Sequence, residues 1–173
     1  FKTDYKLHEF DISKIDKKFF IESEKLLPKN NYIGFSITQG NVYRKKEWPL
    51  SSITEICNKL IQNNKIPVFF IEKNNLELIN KIKNLIPSAL FPEHETNLDS
   101  PALVSCLGKR LNFAITIDNG IMHMLSLAKV PMISLFGPTN SEKFAPSHEN
   151  TVILDSNKLY KTNDISKIKI EYY

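Results

Sequence analysis

Glycine is scarce in this chain, five residues in 173, and none of them form Gly-x-Gly-x-x-Gly. Gly40 stands alone in the turn sequence Thr38-Gln39-Gly40-Asn41, at the end of the first apolar run. A dinucleotide-binding dehydrogenase would carry its glycine motif there, which disfavours that class. Only two cysteines occur, Cys57 and Cys106, each at an apolar position of an expected helix. They read as buried free thiols of a reducing cytoplasm rather than a disulfide framework. Neither they nor the four histidines, His8, His94, His123 and His148, stand at metal-ligand spacing. With no Asp-x-Asp pair to hold magnesium, the expectation is no metal and no cofactor. The longest apolar run, 68–71 with its flanks, is far too short to span a bilayer. No stripe of arginine and aromatics reads as a nucleic-acid surface. No signal peptide is visible, and the first residue is Phe1 rather than methionine, so the expectation is a piece of a longer protein.

What is present is ordinary for a soluble globular protein: 42% hydrophobic and 24% charged residues. The length suits one domain or slightly more, with a sizeable core. Acids and bases are interspersed, as in Lys17, Lys18, Glu22, Glu24 and Lys25, which predicts solvated helix faces. The net charge of +4 suits an anionic small substrate, and is compatible with peripheral contact at an anionic membrane surface.

Read in order, residues 1–14 are polar and mixed. Residues 16–27 predict a helix stopped by Pro28. Residues 32–37 predict a strand, followed by a turn and the basic segment Arg44-Lys45-Lys46-Glu47-Trp48-Pro49. Ser52 and Glu55 suit a capping box ahead of the helical pattern Ile53, Ile56, Cys57, Leu60, Ile61. Strands are expected at 66–71, 89–91 and 151–154. Asn74 or Asn75 should cap a helix reaching Leu85. Ser100 should cap another that has Pro101 at its first position and Gly108 closing it. Residues 165–173 alternate Ile and Lys without deciding between strand and helix.

The chain is organised around 113–139. Two β-branched runs, 113–117 and 130–135, flank a segment too long for a hairpin and suited to a crossover helix, so the strands should be parallel. Alternation of strand and helix over 32–154 predicts an α/β fold: a three-layer, Rossmann-like parallel sheet of about six strands. If the order is 3-2-1-4-5-6, the loops at 38–49, 118–123 and 136–139 converge at the carboxyl edge, where such sheets bind ligands. Asp118 should cap the following helix. Gly120 should permit a tight turn and close ligand approach, and His123 should lean back toward the same spot. The freed N–H groups make that helix start an anion site. Lys46 would face it across a cleft, completing a cradle for a diphosphate. A loop lysine of this kind should contribute little to the core.

Three blocks then carry a resemblance: Lys46-Glu47-Trp48-Pro49, Asp118-Asn119-Gly120-Ile121-Met122-His123 and Phe136-Gly137-Pro138-Thr139. They resemble, in order and approximate spacing over about residues 30–155, signatures of the family 9 glycosyltransferases, the ADP-heptose:lipopolysaccharide heptosyltransferases. The resemblance implies the C-terminal, nucleotide-sugar-binding half of a GT-B fold, with 1–29 as linker and interdomain helix and 30–173 as the domain. It implies a metal-independent, inverting glycosyltransferase. The donor would be ADP-heptose or similar, and the acceptor a glycolipid held by an N-terminal domain, at the inner face of the cytoplasmic membrane. Lys46 would be the catalytic residue, stabilising the departing phosphate. Thr38 and Gln39 would face the nucleotide. Asp118, Asn119, Gly120 and His123 would form the diphosphate loop, with Gly137 and Thr139 in the third block. The family's ribose-binding acid would be Glu72 or Glu77, with Glu77 preferred.

Three departures accompany this. Asn119 replaces the usual Ser or Thr. The glycines expected after the second strand are replaced by Glu72-Lys73-Asn74. Nothing resembles the acceptor domain or its general base, so this chain alone is expected to be an incomplete enzyme. A non-catalytic nucleotide-binding module and a structural interaction domain remain as alternatives, which nucleotide binding and turnover would separate.

Overall fold

The computed structural model describes residues 10–39 and 46–170. The solitary Gly40, with Asn41 and the basic residues Arg44 and Lys45, lies outside the described residues, as do 1–9 and 171–173.

Short β-rich runs alternate with amphipathic segments, and each run becomes a strand of one parallel sheet. The strands are β1 (Tyr32–Ser36), β2 (Ile66–Phe69), β3 (Leu111–Ile117), β4 (Met132–Phe136) and β5 (Thr151–Asp155). Their spatial order is β2-β1-β3-β4-β5, and every neighbouring pair is parallel. The chain winds outward one way from β1 and the other way from β3, so the switch point lies between those two strands.

The expected strand at 89–91 is reduced to a single parallel bridge between Val68 and Leu90. The sheet thus has five strands where about six were predicted. The reason is local: Pro92 follows at once and opens a 3-10 turn, Pro92–Glu95, leaving too little extended chain to continue a ladder.

Side chains alternate across the sheet with period two and build two cores. On one face Ile33, Phe35, Phe69, Ile115, Ile117 and Leu135 pack under the helices α2 (Leu50–Gln62) and α3 (Leu76–Leu85). Ile165 and Ile168 join the same cluster. On the other face Val68, Phe70, Ala114, Met132 and Phe136 pack under α4 (Pro101–Gly108) and α5 (Gly120–Leu127). The helix α1 (Lys17–Leu26), expected as an interdomain element, lies on this second face: Leu27 is fully buried in the cluster and Phe19 and Leu26 pack against it. The Arg110 guanidinium fastens its end by donating to the carbonyls of Leu27 at 3.0 Å and Lys29 at 3.1 Å. Two short helices, α6 (Ser141–Phe144) and α7 (Ser156–Tyr160), flank β5.

Helix caps follow expectation at Asn75 and Ser100, whose side chains accept from the Leu78 and Leu103 N–H groups, and Asp16, expected inside α1, caps it by accepting from the Lys18 N–H. They differ at α2, which starts at Leu50 with Pro49 in the capping position and no side-chain cap, so Ser52 and Glu55 lie inside the first turns. Gly108 is the last residue of α4 and has no positive φ. Its role is space, since a Cβ there would come within 2.9 Å of the Ala128 Cβ. The residues from 165 onward contribute one 3-10 turn, Ile165–Lys167, and no strand among the described residues.

Cys57 and Cys106 are free and buried, and burial pushes their thiols up to about 12 and about 11, so both stay protonated. Among the described residues no helix is long and apolar enough to cross a membrane. None of them group three His, Cys, Asp or Glu side chains that could hold a metal ion.

Candidate functional site

β1 and β3 end side by side at the switch point, and three side chains converge there. Lys46, expected at the rim of a cleft, is buried, with only 6% of its surface exposed. Its ammonium donates to the Asp118 backbone carbonyl at 2.9 Å and to Asp118 Oδ2 at 2.5 Å. Both side chains of this ion pair are almost fully enclosed. The loop lysine is therefore part of the packed interior.

Asp118 does not cap α5, because its carboxylate is drawn to Lys46. Asn119 caps instead: its extended backbone, with φ −153° and ψ 178°, aims Oδ1 at the Met122 N–H, 3.0 Å away. The same amide reaches across to β1. Nδ2 donates to Ser36 Oγ at 2.7 Å and to the Thr38 carbonyl at 2.9 Å. A shorter Ser or Thr could cap but could not make this bridge. Ser36 is fully buried and level with Thr116, which in turn bonds to Ser134 at 3.0 Å, so a row of buried hydroxyls supports the loop from beneath.

Gly120 opens α5 with no positive φ, so the expected tight turn does not require it. Its pro-chiral face is open, the nearest heavy atom to a built Cβ being Met124 Cε at 4.0 Å. That leaves the ligand-approach reading of Gly120 as the one that matches its surroundings. His123 is exposed, one turn further along α5.

Beside this ridge lies a hollow of about 510 Å³ between the end of β1, residues 47–50 and the start of α3. Ile37, Trp48, Ile53 and Leu78 are its apolar walls, and Gln39, Glu47, Asn75, Glu77 and Lys81 its polar ones. Thr38 also lines it. The ridge and the hollow are joined by hydrogen bonds: Gln39 Oε1 accepts from the Lys46 N–H at 2.8 Å, and its Nε2 donates to Glu47 at 2.9 Å.

The two candidate acids separate here. Glu77 lines the hollow but is exposed and paired with Lys81 at 2.7 Å, which lowers its carboxyl below the usual range. Glu72 accepts from the Thr38 hydroxyl at 3.1 Å and is not among the hollow's lining. Nearby, Glu93 is pushed up to about 7, mainly by burial and then by the negative charges of Asp99 and Glu72, against the pull of Lys73.

The third block runs on from the end of β4, the neighbour of β3, with Leu135 level with Ile117. Gly137 is buried, and a Cβ there would lie 2.4 Å from the Asn163 carbonyl oxygen and 2.6 Å from Ile165 Cγ2. Its missing side chain makes room for the protein's own chain. Thr139 lines a separate hollow of about 570 Å³ with Asn140, Asp155, Asn157, Lys161 and Asn163. Lys46 is thus joined to Asp118, two residues before Gly120, and Thr139 follows the end of β4, the strand that neighbours β3. The residues that sequence reasoning passed over are Ser36 and Trp48. A serine at the end of an apolar strand and the chain's single tryptophan, inside a signature block, were the available signals.

A doubly wound parallel sheet, with a lysine set against a helix start at its switch point, defines a Rossmann-like domain whose ligand side is the carboxyl edge. The chain belongs to glycosyltransferase family 9 (heptosyltransferase), whose model matches residues 2–172. It is 26% identical over 113 residues to lipooligosaccharide heptosyltransferase 2 of Campylobacter jejuni, covering 63% of this chain and 35% of that protein. Among solved structures it is similar to a family 9 glycosyl transferase from Veillonella parvula, with TM-score 0.76, 19% identity, and coverage of 90% of this chain and 49% of that one. It is also similar to E. coli heptosyltransferase WaaC with ADP, with TM-score 0.66, 18% identity, and coverage of 83% and 42%. The chain thus spans less than half the length of each of these relatives.

Proposed function

We propose that this chain is the donor-side, nucleotide-sugar-binding domain of an inverting heptosyltransferase of lipopolysaccharide or related glycan synthesis. The observation that carries the reading is the Lys46–Asp118 arrangement at the start of α5. An ammonium group has three donors, and Asp118 takes two of them. Among the described residues nothing takes the third, which would be open to a ligand beside the α5 N-terminus. Asp118 is neutralised by Lys46, and the α5 cap is a neutral amide rather than a carboxylate. The positive end of the helix is therefore not cancelled by its own loop, and an anion can use the first-turn N–H groups. Open space over Gly120 gives that anion room.

In this role Lys46 and the α5 N-terminus hold the diphosphate and stabilise the charge that builds on it as the glycosidic bond to the departing nucleotide breaks. The hollow walled by Trp48 and Ile37, with Thr38, Gln39 and Glu77 at its edge, has the volume and mixed lining suited to a nucleoside. The similar structure of E. coli heptosyltransferase WaaC with ADP supports ADP as the first nucleotide to try. The acceptor would be a glycolipid at the cytoplasmic face of the membrane, its hydroxyl deprotonated by a base on an acceptor-binding domain. His123 and Thr139 stay in the proposal as contacts made when the donor is bound.

The test is titration of the protein with ADP by calorimetry, beside UDP, GDP and NAD. ADP binding that weakens about tenfold in a Lys46→Met/Asp118→Asn variant, with the α5 N-terminus still in place, is the expected result. Equal ADP affinity in both proteins, or preferential binding of NAD, rejects the reading.

A further inference from the structure

We infer that Trp48 is a positioning residue for Lys46, anchored by the segment 163–168 that runs back across the carboxyl edge of the sheet. The inference rests on the reading of Lys46 as an anion ligand and adds how that lysine is held.

Lys46 is attached to the fold by a short stretch, 46–49, that belongs to no strand or helix. Its position depends on what grips that stretch. Gln39 holds the Lys46 backbone N–H. Two residues on, the Trp48 indole is 5% exposed and its Nε1 donates to the Ile168 carbonyl at 3.0 Å, across 120 residues of sequence. Pro49 then leads directly into α2.

The partner segment is itself fastened. Lys161 takes a left-handed conformation, φ 56°, and turns the chain back after α7. Ser156 Oγ holds the Thr162 carbonyl at 2.8 Å. The chain then passes over Gly137, where only a glycine leaves room, and buries Ile165 and Ile168 in the same core cluster as Trp48. An indole whose N–H is buried needs an acceptor, and this carbonyl is the one it has. A tilt of Trp48 would be transmitted through one intervening residue to Lys46, whose tip must reach Asp118. Trp48 also walls the adjoining hollow, so the same side chain sets both the wall and the lysine.

Trp48→Phe keeps a ring in place and deletes the N–H. The readout is affinity for inorganic pyrophosphate by NMR titration of the whole chain, in two backgrounds: the natural sequence, and Lys46→Met/Asp118→Asn. Expected is a loss of about five- to tenfold from Trp48→Phe in the first background and none in the second, because the effect acts through Lys46. An unchanged affinity overturns the inference, and so does an equal loss in both backgrounds, which would mean that the ring acts independently.

A second readout needs no ligand: the Lys46 ammonium resonance should be sharp and slowly exchanging in the natural protein, and broadened by Trp48→Phe. Ile165→Ala, which loosens the partner segment and leaves the indole N–H in place, should broaden it too. Unaltered Lys46 signals in both variants reject the positioning role even if pyrophosphate fails to bind, an outcome that would separately reject the anion-site reading.

Discussion

Lys46 is an ion-pair partner in the fold and, in the proposed role, an anion ligand, and the two conflict in a mutant. Removing it would leave the Asp118 carboxylate enclosed without its partner. Breaking an enclosed pair from one side costs about 3–5 kcal/mol, whereas replacing both members by uncharged groups is often near neutral. Lys46→Ala should therefore lower stability by a few kcal/mol in urea unfolding, and Lys46→Met/Asp118→Asn should recover most of it. The expectation that a loop lysine matters little to folding is replaced by this one. Gly120→Ala should behave oppositely. Apart from its chain neighbours and the helix's own backbone, a Cβ there would meet nothing closer than 4.0 Å, so unfolding should stay within about 0.5 kcal/mol of the parent while ADP affinity falls, both measurable on one preparation.

At the scale of elements, α5 is the piece the site depends on, and it is held at both ends. At its start the Asn119 amide caps the first turn and ties it to β1 through Ser36 and Thr38. Asn119→Ala removes the cap and leaves the buried Ser36 hydroxyl without its amide partner, for an expected loss of about 2–3 kcal/mol in chemical unfolding. Asn119→Ser should restore the cap alone and fall between the two. Near its other end, α4 approaches closely enough that Gly108 faces Ala128, Val130 and Leu125. Gly108→Ala forces those neighbours apart and should cost about 1–3 kcal/mol, read from the urea midpoint.

For the whole molecule, one group that ties stability to pH is Glu93. Its carboxyl is raised in the fold to about 7 from an ordinary value of 4.5, mainly by burial. A carboxyl raised on folding holds its proton more tightly when native. The stability it contributes is present below pH 4.5 and is lost as pH rises through about 7. Thermal or urea unfolding should show a decline on the order of 1–3 kcal/mol over that window, from this group. Glu93→Gln should flatten it and leave the variant the more stable of the two at pH 8. A Glu93→Gln variant whose profile matches the parent's between pH 5 and 8 would show that water relieves the burial.

Hydrophobic periodicity determined the architecture without help. Runs such as 113–117 and 130–135 can bury both faces only in the middle of a parallel sheet, and the helical spacing at Ile53, Ile56, Cys57 and Leu60 can face only its surface. Order of elements and chain connectivity then leave few topologies, so the switch point and the loops beside it were legible. What the tertiary structure alone decided was who partners whom. Asp118 and Asn119 are adjacent polar residues, either able to cap a helix. Only the arrival of Lys46 from 72 positions away claims Asp118 and hands the cap to Asn119. Gly137 and Gly120 look alike in sequence, yet one is filled by the chain at 163–165 and the other faces open space. Trp48 finds its acceptor 120 residues downstream. Pairings of this kind depend on distances between remote loops, which local pattern does not encode, and they separate a residue that meets a ligand from one that holds the fold.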